Sequence, residues 1–337
     1  MAVASCGDDK DADAPMCGDC GAVQSVDARF CNQCGAAMPE SAQPVGGVAP
    51  TPAPTHAMRN ASLGQHVEGP GWVPLDPNLA TIASDRYVAV ALVDPSGIRE
   101  LAAPDGRMIG RRRKAPHADA GVDRMVRFAE MWIEDGTTEV TSNPIAIRGD
   151  RLTAAHCTVR SDGGEIAFLI VAETDEDGLI TAQVTFDDDQ LHDALDELNR
   201  RWAALDPQPR VQADAWIDAK FRHGFDSGDA DGWRQLFTPD CMVVDHRRLG
   251  LGTRTAAQWV ESNRSFAGEL DEWVSDIPLM VDHVEVTRME KVRRDGSGAW
   301  SLFNVVSYDD MAVCGMELFD LDQRADAVAR FEALSRQ

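Results

Sequence analysis

From Ala213 to Phe225 the apolar residues Trp216, Ile217, Phe221 and Phe225 recur at helical spacing, and the rest of the chain switches between that period and the period of two that marks strands. The pattern predicts a shorter helix over Asp231–Phe237 ended near Pro239, a strand over Cys241–His246 and a helix around Thr255–Phe266. Three further strands are predicted over His283–Arg293, Trp300–Ser307 and Ala312–Phe319. The DGSG run at Asp295–Gly298 supplies the first turn between them, and Asp309 with Asp310 the second. A final helix spans Gln323–Leu334.

Upstream, Val122–Trp132 reads as a helix, Glu139–Arg148, Arg151–Arg160, Glu165–Glu173 and Leu179–Phe186 as strands, and Gln190–Trp202 as a helix. The run VAVALV at Val88–Val93 reads as a strand, and Trp72–Ala120 offers no pair of amphipathic helices. A repeat joins the two halves. FDDDQLHDAL at Phe186–Leu195 matches FDLDQRADAV at Phe319–Val328 at an offset of 133 residues. In each copy Asp189 or Asp322 is placed to cap a helix, with Ala194 or Ala327 on its apolar stripe. The same strand-to-helix unit therefore closes two related domains, over residues 72–205 and 211–337, and helices followed by a meander of strands make the class α+β.

The strongest chemical signal lies outside this body. Cys17, Cys20, Cys31 and Cys34 form two Cys-x-x-Cys-Gly pairs. Four thiolates at this spacing can close around one structural zinc at roughly 2.3 Å each, leaving no open position for catalysis. The segment resembles a zinc ribbon, over residues 14–38, with Phe30 before the second knuckle. Redox and iron–sulfur readings fit less well, because thiol exchange expects one pair opening a helix after a strand. Residues 39–71, centred on PVGGVAPTPAPTH, read as a flexible linker. Cys6 and all eight histidines are expected outside the metal shell. Cys157, Cys241 and Cys314 sit singly in apolar stretches, where cysteine acts as a small hydrophobe.

Composition narrows the function. The apolar share of 44% suits packed cores, and the net charge of −24, from 56 acidic and 32 basic residues, opposes a phosphate backbone. Nucleic acid is not the expected partner. The single basic cluster, GRRRKAP around Arg111–Lys114, reads as a solvated loop or a contact for an acidic partner. No apolar run approaches a membrane span or a signal peptide, so a cytoplasmic setting with free thiols is expected. Neither a phosphate-binding glycine loop nor a nucleophile elbow is present in the sequence.

The order of elements over Val211–Gln337, with CMVVDHRRLGLG after the second helix and GMELFDLD at the end of the last strand, resembles the nuclear-transport-factor-2-like superfamily and within it the SnoaL-like branch. That resemblance implies tandem cone-like domains of curved sheet and helices, the first incomplete or degenerate, with an apolar cavity closed by the helices of the second. It also implies chemistry by an Asp, His or Tyr base in relatives that are isomerases, dehydratases or cyclases. Asp245, His246 and Arg247, with Arg248, are the candidate catalytic group. Alternation puts Asp245 and Arg247 on one face and His246 and Arg248 on the other, so either a carboxylate or an imidazole base remains open. The same residues also fit a structural Asp–Arg pair and a satisfied histidine. His283 with Glu285 can share a face, and His156 reads as a core or pocket histidine.

Three functions follow as expectations. The first is a zinc-ribbon protein whose body binds a small apolar ligand or a protein partner without turnover. The second is a lyase or isomerase working by proton abstraction, and the third an adaptor that recruits its partner through the ribbon. The two body domains are expected to pair within the chain as a pseudo-dimer, or between chains as a homodimer.

Overall fold

The computed structural model describes residues 75–114, 119–266, 268–295 and 297–337. The four clustered cysteines and the linker lie outside the described residues. In chain order the first half contains α1 (Leu79–Ala91), a 3-10 turn, α2 (Ile98–Leu101), β1 (Ala102–Gly110), β2 (Ala120–Gly121) and α3 (Val122–Glu134). It continues with β3 (Thr137–Arg148), β4 (Leu152–Ser161), β5 (Gly164–Thr174), β6 (Ile180–Asp187) and α4 (Leu191–Leu205). The second half runs α5 (Pro209–Ser227), α6 (Ala230–Arg234), β7 (Phe237–Asp245), β8 (Gly252–Thr255), α7 (Ala256–Arg264), β9 (Leu270–Val281), β10 (Val284–Arg293), β11 (Ala299–Asp309), β12 (Ala312–Asp320) and α8 (Arg324–Leu334).

Two similar sheet-and-helix units result. The first sheet has the order β2-β1-β6-β5-β4-β3 and the second β8-β7-β12-β11-β10-β9. In both, the first long strand pairs in parallel with the last, β1 with β6 and β7 with β12, while β3 to β6 and β9 to β12 form antiparallel meanders. The first copy is thus not degenerate. Its missing helix is α1, and the expected strand at Val88–Val93 is the last turn of that helix, to Ala91, and the turn that follows it. Asn78 starts α1 by accepting from Thr81 N at 2.9 Å while its own N–H donates to Thr81 Oγ1, and its side chain ties the cap to Gly149 O and Leu152 O. Val88 and Val90 then pack as helix residues against the sheet.

The cone-like curved sheets are also corrected. Each sheet is open, and among the described residues no ladder joins β2 to β3 or β8 to β9. Closure would need the edge strands to pair, and β2 contributes only two residues. The helix caps differ from expectation as well. Asp187 and Asp320, not Asp189 and Asp322, exchange with the glutamine three residues on: Asp187 N donates to Gln190 Oε1 at 3.0 Å and Asp320 N to Gln323 Oε1 at 2.8 Å.

Each sheet has helices on two faces. In the first unit α1 and α3 cover one face with Tyr87, Met108, Met125 and Ile180, and α4 covers the other with Leu191, Leu195, Leu198 and Trp202. In the second, α5, α6 and α7 enclose Trp233, Trp259 and Val306, and α8 sets Ala327 and Phe331 on Val284 and Phe319. Gly224 in α5 has a local reason: a Cβ there would overlap the Trp233 indole.

The described residues from 75 to 248 and from 253 to 337 belong to one compact unit. Their joint is both apolar and polar. Val211, Trp273 and Val292 of the second half complete the core under α4, and Trp273 Nε1 donates to Ile145 O at 2.9 Å. Beside them Arg148 donates to Asn199 Oδ1 at 2.9 Å and to Val274 O at 3.0 Å. Asp218 closes the network, 3.8 Å from Arg148 and 3.1 Å from Arg222.

Candidate functional site

The repeat allows each candidate residue to be judged against its counterpart. Strand register pairs Gly110 with Thr185 in the first unit and Asp245 with Leu318 in the second, so Gly110 stands where Asp245 stands. The following arginines also correspond. Arg113 N and Lys114 N donate to Asp187 Oδ2 at 2.7 Å, and Arg112 Nε to Asp187 Oδ1 at 3.1 Å. In the second unit Arg248 N donates to Asp320 Oδ2 at 3.0 Å. Arg113 pairs with Asp189, and Arg248 with Asp322. The basic cluster therefore has its acidic partner inside the chain, in the DDD run of the repeat. Burial pushes the Asp187 carboxyl up, but the Lys114 N–H, the Arg112 side chain and the Arg113 N–H outweigh it, and the net shift is downward.

Asp245 and Arg247 come together and His246 does not join them. The Asp245 side chain is 4% exposed and takes Arg247 Nε and Nη2 at 2.8 Å each. It lies on the face of Val243, toward α5 and α7. His246 turns to the α8 side, stacks on Phe319 at 4.6 Å and meets Glu317 Oε2 at 2.8 Å. His283 is at the end of α8, 3.2 Å from Leu334 O, whereas Glu285 is buried. His156 is buried, and neither ring nitrogen has a partner. Burial lowers its pKa, so the neutral imidazole is the form it keeps.

One enclosed cavity lies in the first unit. Between α1, α3 and the sheet is a space of about 20 Å³, lined by Tyr87, Phe128, Trp132, Cys157, Phe168 and Ile170, with Ser84, Ser142, Gln183 and Thr185 as polar points. That is room for water-sized occupants. Trp132 packs edge-on to Tyr87 at 6.5 Å and to Phe128 at 5.1 Å. Tyr87 Oη donates to Met125 O at 3.3 Å, and burial pushes its hydroxyl up. Cys157 Sγ is 3.7 Å from Ser142 Oγ, and burial raises its thiol to about 12, which keeps it a protonated, unreactive wall. In the second unit, the core under α5, α6 and α7 packs the rings of Phe221, Trp233, Phe237 and Trp259, with centroids 5.9 to 6.1 Å apart.

Sequence reasoning missed this cavity because it rests on α1, which was read as a strand. It also missed a second polar group. Arg210, Asp214, Glu285 and Tyr308 are all buried against one another under α5. Tyr308 was visible as one of two tyrosines, but nothing local marks its partners.

Among the described residues no group of His, Cys, Asp and Glu has metal-holding geometry, and no helix is long and apolar enough to cross a membrane. No protein-family model matches the chain, and no curated protein matches it. Solved structures do. The crystal structure of RV0760c from Mycobacterium tuberculosis in complex with estradiol-17beta-hemisuccinate is 23% identical, covering 32% of this chain and 92% of that chain at a TM-score of 0.28. AusH from Aspergillus nidulans is 11% identical, covering 33% of this chain and 86% of that one, also at 0.28. The de novo designed NTF2 fold protein NT-9 is 16% identical over 37% of this chain and 97% of that chain, at 0.27. Scores this low add no weight to the strand order and helix placement above, on which the two-unit description rests.

Proposed function

We propose that the chain is a tandem of NTF2-like, SnoaL-like units in which the first binds a small apolar molecule and the second is its packed support. The observation that carries this is the apolar cavity of the first unit, beside the ring-packed core of the second. Ligand pockets commonly have about 300–1,000 Å³, far more than this cavity. A ligand therefore enters by displacing Trp132 and Phe128, which are half-buried on α3, while Tyr87, Gln183 and Thr185 offer hydrogen bonds to a single polar group on it. The steroid ester held by the Mycobacterium tuberculosis protein makes a suitable probe.

Titration of the full chain with that ester, followed by tryptophan fluorescence, is expected to give saturable binding. Ser142→Phe fills the cavity and is expected to abolish binding while the urea midpoint stays near that of the parent. Equal binding by both proteins would remove the cavity from the assignment.

One structural zinc on Cys17, Cys20, Cys31 and Cys34 is part of the same proposal, on sequence spacing alone. Metal analysis is expected to return about one zinc per chain and none after Cys17→Ser. Recruitment of a protein partner by that segment, residues 14–38, is the companion proposal, and it needs no change in the body.

A further inference from the structure

A second feature stands apart from the cavity. α5 opens the second unit immediately after α4 closes the first, and its first turns carry Arg210 and Asp214 into the protein interior. Arg210 lies over the Tyr308 ring, 3.3 Å from its centroid, and pairs with Asp214 Oδ1. Tyr308 Oη donates to Glu285 Oε1. The remaining carboxylate oxygens, Asp214 Oδ2 and Glu285 Oε2, are buried and have no donor, and Arg210 and Tyr308 hold the two side chains in one cluster.

Two acceptors in that position repel unless a proton lies between them. With it, every carboxylate oxygen of the group is satisfied: Glu285 donates to Asp214, Tyr308 donates to Glu285, and the charge left on Asp214 is balanced by Arg210. We infer that Asp214 and Glu285 hold one proton between them, and that this proton locks the start of α5 to the second sheet, so that the joint between the two units loosens as the proton leaves.

The charged and titratable groups facing the pair are Arg210 of α5, Tyr308 of β11 and Arg148 of β3. Burial is the first cause that raises both carboxyls, and the Asp214 charge is the next for Glu285, which therefore carries the proton. A raised carboxyl binds its proton more tightly folded than unfolded. Its stabilising contribution is complete below the ordinary carboxyl value and falls as pH rises toward the folded one.

Urea unfolding of the full chain between about pH 5.5 and about pH 8 tests this, because the carboxyls held below their ordinary values no longer titrate there. The unfolding equilibrium constant of the parent is expected to grow by up to about tenfold per pH unit over part of that window. Glu285→Gln, whose amide can still donate to Asp214 and accept from Tyr308, is expected to flatten the profile. It should also remove one protonated-carboxyl carbonyl band from the infrared spectrum at neutral pH. Should that variant not fold, Asp214→Asn removes the second charge and is read by the same two measurements. Parallel profiles in parent and variant, or an unchanged carbonyl band, would overturn the shared proton.

Discussion

The Asp218→Ala protein is expected to lose about 3–5 kcal/mol of stability at neutral pH, the cost of leaving buried charges without their partner. Asp218 is the common acceptor at the joint. It takes Arg222 Nε at 3.1 Å and Asn199 Nδ2 at 2.5 Å, with Arg148 at 3.8 Å. The side chains of both arginines are 1% exposed, so water cannot replace the lost carboxylate without opening the packing. Burial pushes the Asp218 carboxyl up, but the Arg222 and Arg148 charges and the Asn199 hydrogen bond more than reverse it. Its folded pKa is therefore depressed, and its contribution is present above the ordinary aspartate value and lost as pH falls through the folded one. The acid limb of the parent's stability profile should accordingly be steeper than that of Asp218→Ala. Urea midpoints at neutral and acid pH measure both effects, and a variant within about 1 kcal/mol of the parent would show that the joint does not depend on this charge.

Trp273→Ala is the second large effect, again about 3–5 kcal/mol. Trp273 is 2% exposed, and its ring belongs to β9 of the second unit but completes the core under α4 of the first. Truncation removes apolar surface from both units together with the donor to Ile145 O. Trp273→Phe separates these terms, keeping most of the ring and removing the N–H, at an expected cost of about 1–3 kcal/mol. Because the residue holds two units together, the alanine variant should also broaden the unfolding transition as the halves lose their mutual support. A sharp transition at an unchanged midpoint would place the coupling elsewhere.

What the sequence made legible was what local period encodes. α4 shows Leu191, Ala194, Leu195, Leu198 and Trp202 on one stripe, and the Asp-x-Asp-Gln repeat exposed the duplication before any contact was known. α1 escaped because its sheet-facing residues Ala80, Ala83 and Ala91 are small, while its valines bias the eye toward a strand. β9 escaped for another reason. It buries Glu272 and Ser275 next to Trp273, which hides the alternation, and these are tolerated because Lys291 meets Glu272 at 2.7 Å and Ser275 meets Glu290 at 3.0 Å across the sheet. Asp245 and Arg247 were legible as neighbours on one face and as a structural Asp–Arg pair, beside the reading of them as a catalytic group. Glu285 and Asp214 could not be joined from sequence at all, since they stand on separate elements, β10 and α5, with no local pattern in common.

Placing two related units in one polypeptide changes what selection can do to them. In a dimer of identical chains every substitution appears twice, and a patch must suit its own copy. Here β3 meets β9 under a covalent tether, where the effective concentration of one half for the other does not fall with dilution. Each half is therefore free to diverge. The first keeps a small cavity beside α1 and α3, while the second is packed with aromatic rings and reaches into the first through Trp273, a difference that a symmetric pair could not sustain.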